Sequence, residues 1–360
     1  MLYILGWFII FLKFLIKPFL MCTKKSNKGK VTSKIVGTGI YVPEKYVDNK
    51  ELLDIINVDE VNKRNRDNKK PEQFITDYYG ISGRYIASEH ESNSFMGREA
   101  IKRALESANI DIGQIDLLIY ASTSIDKAIP DTSTRIHNLL GMNATPSMSV
   151  HSTCLSFLHG LNVANSFIKC SMYKTICIVS SEKPTVFANP SDPKTCTTLG
   201  DMAAAVIVQA TSGEASEINY SKFNTYSELC SMIELNIGNS RHSIDKPYTK
   251  EDFYFGINNS KSLIKKVPSL FKNFLSTLLF SNYKYVVTHQ PSKIAIDHAE
   301  EIFGKDKVCQ SFEQIGNVVA ASIPYNLHQL LNSNKVKRGE EILLVGVGAG
   351  LGIGAMNIIY

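Results

Sequence analysis

Short apolar runs alternate with amphipathic stretches along the chain from Ser33 onward. Residues 33–39 (SKIVGTG) predict a strand that ends in a turn, and residues 96–108 repeat apolar positions at helical spacing among good helix formers. Strands separated by crossover helices are typical of α/β folds. The 360 residues are 44% hydrophobic and 20% charged, a globular composition with enough length for a large buried core.

A series of three predicted strands occurs twice with the same plan. In both series the middle strand precedes a long helical segment, at residues 155–168 in the first half and 318–331 in the second. The strands are predicted at residues 116–122, 146–152 and 175–181, and again at 284–289, 308–312 and 341–346. We interpret the repetition as an internal duplication, with one half at residues 31–212 and the other at residues 213–360.

Cys154 lies at the predicted start of the first long helix, and Asn317 lies at the predicted start of the second. A helix N-terminus carries about half a positive charge and unpaired N–H groups, so two such termini could face one central cavity. We therefore expect a lowered pKa for the Cys154 thiol, within the range of about 3.5–7.5 found for reactive cysteines. The other six cysteines form no CxxC pair and are interpreted as buried free thiols in a reducing compartment.

Residues 1–30 form an apolar and basic leader that precedes the repeated plan. An apolar run at residues 2–12 is followed by Lys13 and Lys17, which makes it shorter than the roughly 20 apolar residues of a spanning helix and unlike a secretory signal. Two interpretations stay open: a membrane-surface anchor formed by residues 1–22, or a translation start at Met21. Either one leaves the body of the protein in the cytoplasm.

The basic balance of the chain also comes from this leader. Residues 1–30 contain six lysines and no acidic residue, so without them the formal net charge of +5 becomes −1. A body close to neutral carries no electrostatic footprint for nucleic acid. No cluster of residues with metal-ligand spacing is found, so neither a metal nor a bound organic cofactor is predicted.

Seven segments of the chain resemble the β-ketoacyl-acyl-carrier-protein synthase III family and occur in the family's order. The resemblance runs from about Ser33 to Tyr360 and implies a five-layered αβαβα thiolase fold, a homodimer, and an acyltransferase of fatty-acid, lipid or polyketide-like biosynthesis. The segments that carry it are SKIVGTGIYVPEKYVDNKEL, YGISGR, SVHSTCLSF, LGDMAAAVIV, VVTHQPS, IGNVVAASIP and GVGAGLGIGA.

By this resemblance, the catalytic residues are Cys154 in STCLSF, His289 in THQPS and Asn317 in GNVVAAS. Cys154 is expected to take an acyl group from a thioester. His289 and Asn317 are expected to bind a malonyl-type thioester and to stabilise the enolate that forms as carbon dioxide leaves. The residue chemistry agrees, because a cysteine suits acyl exchange between thioesters and an enolate needs hydrogen-bond donors, which a neutral imidazole and an amide supply.

The tetrahedral oxyanion formed at Cys154 needs further N–H donors. The amide of Cys154 and the turn at Gly348, Ala349 and Gly350 are their expected source, by resemblance and because glycine tolerates close approach.

Several positions depart from the family pattern around the substrate. Leu155 replaces a small residue beside the nucleophile and Met202 replaces a glycine, so both are expected near the acyl pocket. The family's adenine-stacking Trp corresponds to Phe74 and its partner Arg to Tyr78, and a second Arg corresponds to Val186. These losses predict weaker binding of the coenzyme A nucleotide, because an arginine–phosphate contact is bidentate and charge-assisted.

A basic insertion, KRNRDNKK at residues 63–70, precedes this subsite. It is interpreted either as a solvated surface loop or as a docking surface for an acidic acyl-carrier protein. Together with the lost nucleotide contacts, it favours carrier-bound substrates, with acyl-coenzyme A as the other candidate donor.

Decarboxylative condensation is the function that the resemblance favours, and two alternatives stay open. The same Cys and His could transfer an acyl group to an alcohol or amine without decarboxylation. The chain could also be a non-catalytic acyl-binding partner subunit, although the presence of all three catalytic residue types argues against this.

Overall fold

The computed structural model describes residues 31–212, 216–237, 248–279 and 282–360, so the predicted leader at residues 1–30 lies outside the described residues. The strands are β1 Val31–Tyr41, β2 Tyr46–Asp48, β3 Gly83–Tyr85, β4 Leu117–Tyr120, β5 Ser147–Ser149, β6 Thr175–Glu182, β7 Met202–Ser212, β8 Glu217–Thr225, β9 Ile233–Glu234, β10 Gly256–Ile257, β11 Tyr285–Thr288, β12 Val308–Cys309, β13 Glu341–Gly348 and β14 Gly352–Ile359. The helices are α1 Asn49–Leu52, α2 Val58–Asn62, α3 Pro71–Tyr79, α4 Asn93–Ala108, α5 Thr132–Leu139, α6 Ser156–Lys169, α7 Pro193–Cys196, α8 Ser260–Leu275, α9 Lys293–Phe303, α10 Phe312–Ile315 and α11 Ser322–Asn332.

Two five-stranded mixed sheets repeat one topology. The first sheet has the order β1-β7-β6-β4-β5, and the second has the order β12-β11-β13-β14-β8. In the first sheet β4 is parallel to β5 and β6, and β7 runs antiparallel to β6 and β1. In the second, β11 is parallel to β12 and β13, and β14 runs antiparallel to β13 and β8. The predicted α/β class and the repeated three-strand series are therefore confirmed.

Helices α6 and α11 lie between the two sheets and form the central layer. Their apolar side chains, such as Phe157 and Leu161 on α6 and Leu327 on α11, are fully buried in one cluster with residues of both sheets. Helix α4 covers the outer face of the first sheet, and α8 and α9 cover the outer face of the second. The result is the five-layered αβαβα arrangement of the thiolase fold.

The glycines of the SKIVGTG segment explain how closely α4 approaches β1. A β-carbon on Gly37 would lie 2.5 Å from the Ala104 carbonyl oxygen, so only glycine fits there. None of the described helices is long and apolar enough to cross a membrane.

The cysteines away from the predicted nucleophile differ in their exposure. Cys177 and Cys196 are buried, as the sequence predicts. Cys170 and Cys230 are exposed, so the interpretation of these two as buried thiols is wrong. Cys170 directly follows the last residue of α6, and Cys230 lies in a 3-10 turn, so neither position faces a sheet.

Candidate active site

Cys154 lies in a short 3-10 turn, Thr153–Leu155, between β5 and helix α6. Thr153 has a φ of 49°, which is strained for a branched residue and aims the turn sharply into the helix. The Ser156 hydroxyl stabilises the turn, because it donates to the Thr153 carbonyl at 2.7 Å and accepts from the Ser152 N–H at 2.9 Å. Cys154 is thus held by a tight turn and not by a regular first helical turn.

The second half builds the same turn at Val319–Ala321, before helix α11. Val319 has a φ of 48°, and the Ser322 hydroxyl oxygen lies 2.8 Å from the Val319 carbonyl oxygen, in the position that Ser156 takes beside Thr153. Cys154 therefore corresponds to Ala320. The prediction that Asn317 begins the second helix as the counterpart of Cys154 is wrong, because Ser322 is the first residue of α11.

His289 follows the last residue of β11 and is only 6% exposed. Its Nδ1 atom lies 2.8 Å from the Ser322 hydroxyl. Burial lowers the pKa of His289 to about 4, so the ring is neutral at pH 7. A neutral imidazole donates from one nitrogen only, which suits a donor for a developing enolate and not a permanent positive charge.

Asn317 is fixed at both its backbone and its side chain. Its N–H donates to the Thr198 carbonyl at 2.7 Å, and its carbonyl accepts from the Gly200 N–H at 3.2 Å. Its Oδ1 atom accepts from the Val319 N–H at 2.9 Å. Because the amide oxygen is engaged in the turn, the Nδ2 group is the end of the side chain left to donate.

Gly346 on β13 brings the two halves of the candidate site together. A β-carbon on Gly346 would lie 3.0 Å from Leu155 Cδ2 and 3.1 Å from His289 Cβ, so the neighbour of Cys154 and the histidine pack over the same glycine. The turn of Asn317 is joined to His289 through Ser322. The turn of Cys154, His289 and the turn of Asn317 thus lie close together between the two sheets.

The Cys154 thiol has a raised pKa, contrary to the expectation from its place before a helix. Burial raises the pKa to about 12, and hydrogen bonding to the Ala349 backbone opposes this only partly. The residue as a whole is half-buried, while its sulfur is surrounded by protein. Burial disfavours the charged thiolate and is the largest influence on this pKa.

The turn at Gly348, Ala349 and Gly350 contacts the nucleophile turn directly. The Thr153 hydroxyl donates to the Ala349 carbonyl at 3.1 Å, and the Ala349 backbone hydrogen-bonds Cys154. A β-carbon on Gly348 would lie 2.8 Å from Thr153 Oγ1, so glycine is required for this approach. The backbone here is therefore close enough to the sulfur to contact a bound acyl group.

Leu155 and Met202 are both buried, but they occupy different surroundings. Leu155 is 2% exposed and packs against the backbone of Gly346, Gly348 and Gly352. Met202 begins β7 and lies in one apolar cluster with Val318 and Ala321 of the second turn. Leu155 thus lies directly beside Cys154, whereas Met202 supports the turn that carries Asn317.

The three positions of the expected nucleotide subsite differ strongly in exposure. Phe74 is 5% exposed and stacks on Tyr78, with ring centroids 5.1 Å apart and 18° between the planes. Tyr78 and Val186 are 60% and 55% exposed. Since the Phe74 ring is covered, only Tyr78 of this pair presents an aromatic face to solvent.

The basic insertion at residues 63–70 is largely exposed, but several of its cations have acidic neighbours. Lys63 pairs with Glu60, Lys69 lies 2.6 Å from Asp77, and Arg64 lies 3.8 Å from Asp192. Local pairing reduces the positive potential that the sequence suggested.

Glu182 is a buried acid near the site that sequence reasoning missed. It is fully buried at the end of β6, and its carboxylate accepts from the N–H groups of Thr123 (2.6 Å) and Ser124 (2.9 Å) and hydrogen-bonds the Ala320 backbone. Burial raises its pKa to about 7 despite these hydrogen bonds. The signal that could have revealed it is a single carboxylate at the end of an otherwise uncharged strand, TICIVSSE.

Asp201 is a second buried acid, and it belongs to the support of the site. It accepts from the Ala87 N–H at 2.8 Å and the Thr185 hydroxyl at 2.6 Å, next to the Gly200 that holds Asn317. Within the described ranges, no group of three or more His, Cys, Asp or Glu side chains could hold a metal ion.

Comparison with known proteins agrees with the fold described above. The N-terminal model of 3-oxoacyl-[acyl-carrier-protein (ACP)] synthase III matches residues 148–227, and the C-terminal model matches residues 276–360. The β-ketoacyl-[acyl-carrier-protein] synthase III of Rickettsia rickettsii (strain Sheila Smith) is 30% identical over 332 residues, which cover 91% of this chain and 99% of that protein.

Solved structures are similar over nearly the whole chain. The 3-oxoacyl-[acyl-carrier-protein] synthase III of Aquifex aeolicus VF5 has a TM-score of 0.76 at 27% identity and covers 91% of this chain and 100% of its own. A variant of OleA from Xanthomonas campestris has a TM-score of 0.78 at 21% identity, with 93% and 100% coverage, and supports the fold alone. The fold and the matching family models define a thiolase-fold condensing enzyme. The chain belongs to the β-ketoacyl-[acyl-carrier-protein] synthase III family.

Proposed function

We propose that this enzyme carries an acyl group on Cys154 and condenses it with a malonyl-type thioester, with His289 and Asn317 stabilising the enolate. The observation that carries the proposal is the pair of matched turns: one presents a thiol, and the other fixes an imidazole and an amide as neutral donors. The expected product is a β-ketoacyl thioester.

The chemistry follows from the groups present. In the first step the Cys154 sulfur attacks a thioester carbonyl, the bond from that carbonyl to the donor sulfur breaks, and the donor leaves as a thiol with the Cys154 proton. In the second step carbon dioxide leaves the malonyl-type partner, and the electron pair develops on the enolate oxygen. Two preorganised donors lower this barrier, and losing one typically costs on the order of 10²–10³ in rate. The enolate carbon then attacks the acyl-Cys154 carbonyl, and the thiolate of Cys154 is released.

A direct test follows the intact mass of the protein with a panel of acyl thioesters, and then adds malonyl-carrier protein while carbon dioxide and product are measured. Cys154→Ala should abolish the adduct. Cys177→Ala is the matched control, since Cys177 is also a buried thiol with a pKa raised by burial to about 12. An adduct discharged by alcohols or amines but not by malonyl thioesters would favour acyl transfer. The absence of an adduct with every donor would favour a non-catalytic subunit.

The substrate carrier in this proposal is an acyl-carrier protein in preference to coenzyme A. The support is the replacement of two arginines by Tyr78 and Val186, neither of which can hold a nucleotide phosphate in a bidentate contact. Arg66 is an exposed side chain of the basic insertion, so reversing its charge tests whether a carrier protein docks there. Arg66→Glu should raise the KM for carrier thioesters at low salt, and Lys305→Glu on an exposed loop elsewhere is the control. Equal KM values for both variants would remove the insertion from the docking surface.

We also propose that two copies of the chain associate through the edge of the first sheet. β5 forms that edge, and the loop beside it exposes two isoleucines four positions apart, Ile125 (50%) and Ile129 (87%). Light scattering should report a dimer, and Ile129→Asp should weaken it. A monomer at micromolar concentration would contradict this proposal.

A further inference from the structure

The Ser322 hydroxyl lies between two groups that compete for its single proton. It is 2.8 Å from His289 Nδ1 and 2.8 Å from the Val319 carbonyl oxygen, and the residue is 1% exposed. If the proton turns to Val319, Nδ1 must carry its own hydrogen and the opposite nitrogen, Nε2, has only a lone pair. If the proton turns to Nδ1, the hydrogen of the neutral ring is on Nε2.

The equivalent serine of the first half shows what is different here. Ser156 accepts from the Ser152 N–H, so its hydroxyl proton has to go to the Thr153 carbonyl. In the second half the imidazole Nδ1 takes the place of that N–H. An imidazole nitrogen can accept as well as donate, so Ser322 is free to donate in the opposite direction.

The Val319 carbonyl does not depend on the Ser322 hydroxyl. It already accepts the backbone N–H of Ser322, which closes the 3-10 turn. The Val319 backbone also raises the pKa of His289, against the larger opposite effect of burial, which is the effect of an acceptor near the ring. Without the hydroxyl, this carbonyl would attract a hydrogen on Nδ1 and leave Nε2 without one.

We propose that Ser322 is a positioning residue that donates its hydroxyl proton to Nδ1 and thereby holds the hydrogen of His289 on Nε2. This inference rests on the proposed function, in which His289 donates to the enolate oxygen. Asn317 is oriented in the same way, since its Oδ1 accepts from the Val319 N–H and its Nδ2 is left to donate. One turn, residues 317–322, thus sets the direction of both donors.

The decisive test measures the tautomer and the two reaction steps separately. Long-range ¹⁵N–¹H spectra of histidine-labelled enzyme, with the His289 signal assigned from His289→Asn, should show the hydrogen on Nε2. Ser322→Ala should move it to Nδ1. Acyl loading of Cys154, followed by intact mass, should stay within about threefold, because Ser322 does not touch the sulfur. Decarboxylative turnover of the preloaded enzyme should fall at least tenfold, towards the roughly 10²-fold cost of a lost donor.

Two variants separate this role from a structural one. Ser333→Ala removes a similar bond, in which the Ser333 hydroxyl donates to the Leu330 carbonyl at 2.7 Å, from the other end of the same helix. It should leave tautomer and turnover unchanged. Ser322→Thr retains the hydroxyl and should recover most of the turnover. An Nδ1–H ring in the wild type, or an unchanged tautomer and turnover in Ser322→Ala, would overturn the inference. Failure of the wild type to load or condense would instead reject the proposed function.

Discussion

Leu155 and Gly352 should be energetically coupled, because the leucine side chain occupies the space that the glycine leaves open. The Leu155 side chain is 2% exposed and lies against the backbone of β13 and β14, which cannot move into a cavity as loose side chains can. Leu155→Ala should therefore cost about 3–5 kcal/mol of unfolding free energy, the upper part of the range for buried leucines. A β-carbon on Gly352 would lie 3.0 Å from Leu155 Cδ1, well inside the optimum of about 3.5–4.0 Å. Gly352→Ala alone should cost about 1–3 kcal/mol through overpacking.

The double variant should be more stable than the sum of the two changes predicts. The new methyl group enters the cavity left by Leu155 and no longer meets a clash, so we expect a favourable coupling of about 1–2 kcal/mol. Equilibrium urea unfolding of the four proteins, followed by far-UV circular dichroism, measures it. Gly354→Ala is the control, since its β-carbon would lie 2.6 Å from Phe223 Cδ1 and 3.6 Å from Leu155 Cδ1. Its cost should persist in the Leu155→Ala background.

If the unfolding free energies of Leu155→Ala and Gly352→Ala add within about 0.5 kcal/mol in the double variant, the packing argument is refuted. Coupling of the same size in the Gly354 control would refute it too, because the effect would then be a general loosening of the strand. The same Leu155→Ala variant should accept longer acyl donors on Cys154, since the vacated space lies beside the nucleophile.

Three further outcomes follow from the site. Asn317→Ala should slow condensation about 10²–10³-fold and leave the loading of Cys154 almost unchanged, as measured by single-turnover kinetics. Equal losses of rate in both steps would contradict the role of the amide. Because burial raises the pKa of Cys154 to about 12, alkylation of that residue by iodoacetamide, followed by peptide mass, should rise about tenfold per pH unit from pH 7 to 9.5, and a plateau near pH 7 would contradict it. Glu182 has a pKa raised to about 7, so the folded state binds its proton more tightly than the unfolded state. In urea titrations the stability of the wild type relative to Glu182→Gln should fall by up to about 3 kcal/mol as the pH rises from about 4.5 to 7, and a difference that does not change with pH would contradict this.

The sequence was informative wherever structure depends on short-range pattern. All six strands of the repeated series occur, although the middle ones shorten to β5 and β12. Helix boundaries near the site were less predictable. The segments predicted to begin at residues 155 and 318 instead begin at Ser156 and Ser322, after 3-10 turns that need a positive φ at Thr153 and Val319. Branched residues seldom adopt a positive φ, so the local sequence did not predict these turns.

Motif order alone identified the candidate catalytic residues, but not the groups that control them. Glu182 and Ala320 are far apart in the chain, and so are His289 and Ser322, which differ by 33 positions. No local pattern reveals such contacts. The expected loss of coenzyme A contacts rested on the residue types at single positions of the sequence. The stacking of Tyr78 over Phe74 is visible only in the structure.

By itself, the sequence determined the α/β class, the doubled strand series and the family, because hydrophobic periodicity and motif order are properties of the chain read in one direction. The tertiary structure decided the direction of the Cys154 pKa shift, the orientation of the two donors and the fit of Leu155 among glycines. These depend on desolvation and on contacts that each side chain receives from distant segments. The physical reason is that burial is a property of the packed layers: the same cysteine before the same helix would have a lowered pKa at a solvated surface and has a raised one between two sheets.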